Sequence, residues 1–280
     1  MRFGNLSGRA TLFDEHGAVD VAEASDGLFG PDPQSVLDRW SDFLTWAKKG
    51  GQLRTARPFD HADLGAPSPR PPQVFAIGLN YADHVKESRL DLPTDLPAVF
   101  TKFRGSISGP ISTVKLPSAG HVDWEVELVV VIGALAAGVP ARRGWDVVAG
   151  VTVGQDISER VTQMAGPAPQ FSLGKSFPGF SPMGPWMVTL DELDDPDDLA
   201  LSCFLDGEKV QDGRTRDLIF SVPQIVEFLS RVTPLYPGDV IFTGTPAGVG
   251  MGRNPQRFLR PGEELVSAIA GIGELHQRFV

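Results

Sequence analysis

The densest chemistry in this chain lies in Asp123-Trp124-Glu125-Val126-Glu127. Side chains alternate along a strand, so Glu125 and Glu127 share one face while Trp124, Val126 and Leu128 take the other. Two carboxylates about 7 Å apart on one face repel unless water or a cation neutralises them. They lead into Leu128-Val-Val-Val-Ile132, which predicts a strand exposed at one end and buried on both faces at the other. Such oxygen donors suit a hard dication, and Mg²⁺ characteristically keeps positions open for substrate; a solvated strand face has the same composition. A third acid, Asp156, follows the apolar stretch from Val151 to Gln155. It stands just before an expected helix, where it can be a metal ligand or an N-cap.

A second constellation is Gly78-Leu-Asn-Tyr-Ala-Asp-His84-Val-Lys-Glu87. On a helix His84 and Glu87 share a face. A carboxylate that binds one imidazole nitrogen leaves the other as a base near neutral pH; the same spacing also describes a surface helix pair. Gly174-Lys175-Ser176 lacks the glycine of a phosphate loop five residues earlier, where Pro169 stands. Lys175, among Phe and Pro residues, is read as a cation beside an apolar pocket. In Phe242-Thr-Gly-Thr-Pro-Ala-Gly-Val-Gly250 the glycines allow the backbone to approach a ligand closely, and Thr243 and Thr245 offer hydroxyls.

These residues must be positioned by short elements. Val74 to Ile77, Ala98 to Lys102, Asp123 to Ile132, Asp146 to Val153, Pro185 to Leu190, Leu199 to Leu205, Val240 to Phe242, Glu264 to Ala270 and Glu274 to Val280 read as strands. Tyr81 to Ser88, Ile157 to Met164 and Val222 to Arg231 read as helices. Before them, residues 1–70 read as a small N-terminal α+β unit, with a strand at Thr11 to Phe13 and an amphipathic helix from Val36 to Lys49. The proline-rich stretch from Gly65 to Pro72 is stiff and extended. The expected fold class is therefore α+β and β-dominated, with residues 71–280 as the main domain. The order of elements is not the βαβ alternation of a doubly wound nucleotide fold.

The 280 residues carry 35 acidic against 25 basic side chains, a formal charge of −10. That balance argues against nucleic acid and against an anionic membrane surface as partners. No run of about 18 apolar residues offers a membrane span. One cysteine, Cys203, excludes an internal disulfide and points to a reducing, cytoplasmic compartment. It reads as a small buried hydrophobe, and the acids from Asp194 to Asp198 as a solvated loop.

Seven blocks taken in order resemble the fumarylacetoacetate hydrolase family: residues 78–87, 97–110, 123–133, 150–160, 174–186, 205–230 and 237–250. The resemblance spans roughly 72–280. It implies a mixed β-roll, a small variable N-terminal domain and a homodimer. It implies Mg²⁺ or Mn²⁺ on Glu125, Glu127 and Asp156, a His84–Glu87 dyad and an active-site Lys175. The implied substrate is a small 2-oxo acid of the acylpyruvate or fumarylpyruvate type, cleaved at a C–C bond through an enolate after His84 activates water. Gly244 and Thr245 are expected at the substrate carboxylate or the metal's water, and Arg104, Arg160 and Gln163 at the substrate. Decarboxylation of an oxaloacetate-like acid or isomerisation of a hydroxy-dienedioate would use the same enolate. A non-catalytic relative would have lost the dyad or the lysine. Phe171, Pro178, Ser181 and Val161 depart from common family residues near the expected pocket, which leaves the acyl group open.

Overall fold

The computed structural model describes residues 1–51, 56–88, 96–118 and 120–280. Fourteen strands carry the argument: β1 (Arg2–Leu6), β2 (Arg9–Asp14), β3 (Gly17–Asp20), β4 (Val74–Gly78), β5 (Ala98–Thr101), β6 (Ile111–Val114), β7 (Val126–Ile132), β8 (Val148–Gln155), β9 (Ser181–Val188), β10 (Ala200–Leu205), β11 (Glu208–Arg214), β12 (Val240–Phe242), β13 (Glu264–Ile269) and β14 (Gly273–Phe279). The large sheet runs β3-β2-β1-β9-β8-β7-β12-β4-β5, and a second sheet runs β11-β10-β13-β14-β6. The fold is α+β and dominated by mixed sheets, as the pattern of short runs predicts.

The central strand β7 shows why the apolar run folds this way. Leu128, Val130 and Ile132 pack into a core shared with the second sheet, through Leu201, Cys203, Leu265 and Phe279. Val129 and Val131 point the other way, into a core with Phe3, Trp40 and Phe43. A strand covered on both faces needs continuous apolar sequence rather than alternation. All seven of its residues are buried, so the expectation of one exposed end is corrected. β7 pairs with β8 along its length and with β12 at Val129–Val131, so it sits inside the sheet.

The segment expected as a separate N-terminal unit continues the same sheet, since β1 pairs with β9 through Arg2–Val188 and Phe3–Met187. Its aromatic residues share the second core with Val74, Val129 and Phe242. The expected helix from Val36 to Lys49 is interrupted, giving a short helix Pro33–Leu37 and α1 (Trp40–Trp46). Trp40 and Phe43 lie 5.4 and 5.5 Å from Phe3, so packing on the sheet, rather than helix length, sets where the turn falls.

Two local differences shape the site. The acidic strand is split: Val122–Asp123 pairs with Ser158–Glu159, and β7 starts only at Val126. The helix expected from Ile157 shortens to α3 (Arg160–Gln163), capped by Glu159 rather than Asp156. The helix before it, α2 (Ala82–Ser88), matches expectation. Among the described residues no helix is long and apolar enough to cross a membrane.

Candidate active site

Glu125, Glu127 and Asp156 come together although Glu125 precedes the strand: one carboxylate oxygen from each lies within 4.8 Å of the others, and all three residues are buried. Glu125 is held at the break between the two strands. Its N–H donates to Gln155 Oε1 at 2.9 Å, and its carbonyl accepts from Asp156 N at 2.9 Å. The N-cap alternative for Asp156 fails, because its carboxylate turns inward.

Cations enter this cluster unevenly. Lys175 Nζ donates to Glu125 Oε2 at 2.8 Å and to Asp156 Oδ2 at 2.5 Å. Lys102 Nζ meets Asp156 Oδ1 and the carbonyl of Lys175, each at 2.5 Å. Arg160 binds Asp123 through Nε and Nη2 at 3.0 and 2.8 Å, and Glu125 Oε1 through Nη1 at 2.7 Å. Three cations thus serve Asp123, Glu125 and Asp156. Among the described residues none pairs with Glu127, whose partner is the Gly244 N–H at 2.8 Å.

The titration behaviour follows this count. Burial pushes the Glu125 carboxyl up, but Lys175 and Arg160 outweigh it and hold the group well below the usual carboxylate range. Burial pushes Glu127 up, the charges of Asp156 and Glu125 push it further, and it stands well above its ordinary value. Burial lowers Lys102, with Asp156 opposing; at Lys175 the burial effect is overcome by Asp156 and Glu125, so that ammonium is held more firmly. A buried carboxylate without a cation is costly. The donor set therefore fits a hard dication: three convergent carboxylates, one of them left unbalanced.

The glycine-rich turn after β12 supplies amides to acids, and this was not foreseen. Gly244 N–H donates to Glu127, Gly248 N–H to both Glu87 oxygens at 3.1 and 3.0 Å, and Gly250 and Met251 N–H to Asp123 at 2.6 and 2.9 Å. Gly244 needs to be glycine: its φ is +103°, and a Cβ there would sit 2.7 Å from the Cβ of Asn80. Thr245 lines the cavity, but its hydroxyl donates to Val126 O at 2.9 Å and accepts from Gln211 Nε2 at 2.8 Å.

On α2 the His84 Nδ1 and Glu87 Oε1 are 3.0 Å apart. His84 lines a cavity of about 120 Å³ together with Glu125, Glu127, Arg160, Gln163 and Lys175. Gln163 accepts from Arg160 Nη1 at 3.0 Å. Arg104 is not brought here; it is exposed in a 3₁₀ turn and lines a separate cleft with Gln73 and Phe103. A larger cleft of about 720 Å³ near the N-terminus has its arginines paired, Arg9 with Asp20 and Arg57 with Glu23, and gathers no comparable cluster. Sequence reasoning missed Lys102 and Asp123. A lysine closing the apolar run Ala98–Thr101 was the available signal for the first.

Comparison with known proteins agrees with this geometry. The family model for the fumarylacetoacetate (FAA) hydrolase C-terminal region matches residues 73–280. The human mitochondrial oxaloacetate tautomerase FAHD2A is 43% identical over 216 residues, 77% of this chain and 68% of that protein. A provisionally named HpcE protein from Mycobacterium smegmatis has 56% identity and a TM-score of 0.96, covering 100% of this chain and 99% of its own. Maleylpyruvate hydrolase from Sphingobium sp. SYK-6, solved with manganese(II) and pyruvate, has 26% identity and a TM-score of 0.79 over 100% and 99% of the two chains.

Proposed function

Because the chain belongs to the fumarylacetoacetate hydrolase family, we propose that Glu125, Glu127 and Asp156 hold a divalent cation, Mg²⁺ or Mn²⁺, and that the enzyme hydrolyses a C–C bond in a 2,4-dioxo acid. The observation that carries this reading is the buried Glu127, left without a cation beside two other carboxylates. The manganese and pyruvate bound by the maleylpyruvate hydrolase relative support it. When bound, the dication supplies Lewis acidity toward the oxygens of a 2-oxo acid.

The chain's own residues then have defined work. Glu87 is fixed by Gly248 and accepts from His84 Nδ1, which leaves Nε2 with its lone pair. That nitrogen takes a proton from water, and the resulting hydroxide adds to the C4 carbonyl. The Lys175 ammonium stabilises the oxyanion that develops. Collapse breaks the C3–C4 bond; the acid leaves, and the pyruvate enolate takes at C3 the proton that His84 holds.

A second reading is keto–enol tautomerisation, favoured by the name of the 43% identical human relative. In it His84 moves a proton at C3 and no water adds. Turnover of acetylpyruvate and oxaloacetate, with Mg²⁺ and after EDTA, separates the two. Metal-dependent loss of acetylpyruvate with release of acetate and pyruvate supports hydrolysis. Metal-dependent oxaloacetate enol–keto exchange with acetylpyruvate intact selects tautomerisation. Inertness toward both defeats the assignment.

A further inference from the structure

The cavity has two unlike halves. One holds the carboxylate cluster and His84. The other is walled by Leu79, Phe100, Met164, Phe171 and Met251. Phe100 and Phe171 meet edge to face at 5.7 Å, and Lys175 Nζ lies 5.0 Å from the Phe100 ring centroid, so the apolar wall begins where the charged cluster ends. Leu79 is held in the left-handed region at φ +59°, a costly conformation for a leucine. The next residue fixes it: Asn80 donates to Phe220 O and Thr243 O at 3.0 and 2.8 Å and accepts from Phe220 N–H at 2.8 Å. Local strain is thus maintained at a position that puts an apolar side chain in the cavity wall.

Among the described residues, this wall offers no cation to a second anion. The lysine and arginine among the residues lining the cavity, Lys175 and Arg160, both stand on the carboxylate side, where they pair with Asp123, Glu125 and Asp156. A carboxylate pressed against this wall would lose its water and gain no described cation. An alkyl or aryl group would bury area against two phenylalanines and two methionines.

We propose that the apolar half of the cavity selects 2-oxo acids with a single carboxylate and an uncharged, apolar tail, and rejects those carrying a second, distal carboxylate. The proposal rests on the reading of the cluster as a 2-oxo acid site. It is tested by calorimetric titration of the Mn²⁺-loaded protein with pyruvate, 2-oxohexanoate and 2-oxoadipate, the last two differing at the distal end by methyl against carboxylate. The expected result is 2-oxohexanoate binding about tenfold or more tighter than either of the others. In Met164→Arg, a change at a half-exposed position, the preference of 2-oxohexanoate over 2-oxoadipate should shrink at least tenfold or reverse. Pyruvate binding together with equal or tighter 2-oxoadipate binding overturns the proposal alone. A wild-type preference retained in Met164→Arg also overturns it. Failure of pyruvate to bind defeats the 2-oxo acid reading and the proposal with it.

Discussion

Glu127→Gln should make the metal-free protein more stable and the metal-loaded protein relatively less so. Glutamine keeps the shape and an acceptor for the Gly244 N–H, which lies 2.8 Å from the carboxylate. It removes a like charge from a group whose oxygens lie within 4.8 Å of one another. At an effective dielectric constant of about 20, one such repulsion is worth about 3 kcal/mol. Lys175 and partial protonation of Glu127 offset part of it, leaving about 1–3 kcal/mol. For a chain of this size that is a rise in melting temperature of about 2–8 °C in EDTA. With Mn²⁺ at about a thousandfold excess over its dissociation constant, the wild type gains about 4.1 kcal/mol by linkage and the variant little, so the order of melting temperatures reverses. The pH dependence has a fixed sign. Glu127 has its folded value raised above the ordinary 4.5, so the folded state holds the proton more tightly than the unfolded one. The wild-type penalty is absent below about pH 4.5 and grows as pH rises toward the raised value. The variant's advantage in EDTA should widen over that window. A Glu127→Gln protein that melts below wild type in EDTA across that window would mean that Glu127 stabilises the metal-free fold through its own bonds, contrary to the repulsion described.

Other outcomes follow from the same contacts. His84→Ala should lower hydrolysis about 10²-fold or more while Mn²⁺ affinity measured by calorimetry stays near wild type; an equal loss of Mn²⁺ affinity would mean that His84 belongs to the metal site. Gly244→Ala forces a Cβ into a +103° backbone against Asn80 and should cost about 1–3 kcal/mol in chemical denaturation, with unchanged stability counting against the close packing described. Lys102→Met strips a buried ammonium from Asp156 and should destabilise the EDTA-treated protein by about 3 kcal/mol; a neutral result would mean that Lys175 alone balances that acid.

Much of the framework was legible because it depends on local pattern. Continuous valines in β7, the glycine turn after β12 and the His84–Glu87 spacing each follow from neighbours in sequence. What escaped was set by contacts between distant segments. Lys102 reaches Asp156 and Lys175 from another strand, and at the end of an apolar run it looks like an ordinary strand terminus. Asp123 appeared as the start of the acidic motif, yet it gathers Arg160, Gly250 and Met251. The expected substrate role of Arg104 came from the family resemblance alone, and the turn that carries it faces another cleft. The turn at Gly244–Gly250 was expected to meet a ligand, whereas its amides meet the protein's own carboxylates; which amides face which acids is fixed only when β12 docks beside β7.

On the proposed reading, the unbalanced carboxylates hold a dication that in turn recruits a 2-oxo acid. Calorimetric titration of pyruvate into the protein, first with Mn²⁺ and then after EDTA, tests it directly. Saturable pyruvate binding at one site per chain is expected with Mn²⁺, and none after EDTA. Pyruvate binding of equal strength in EDTA, or no binding with Mn²⁺ present, would contradict it.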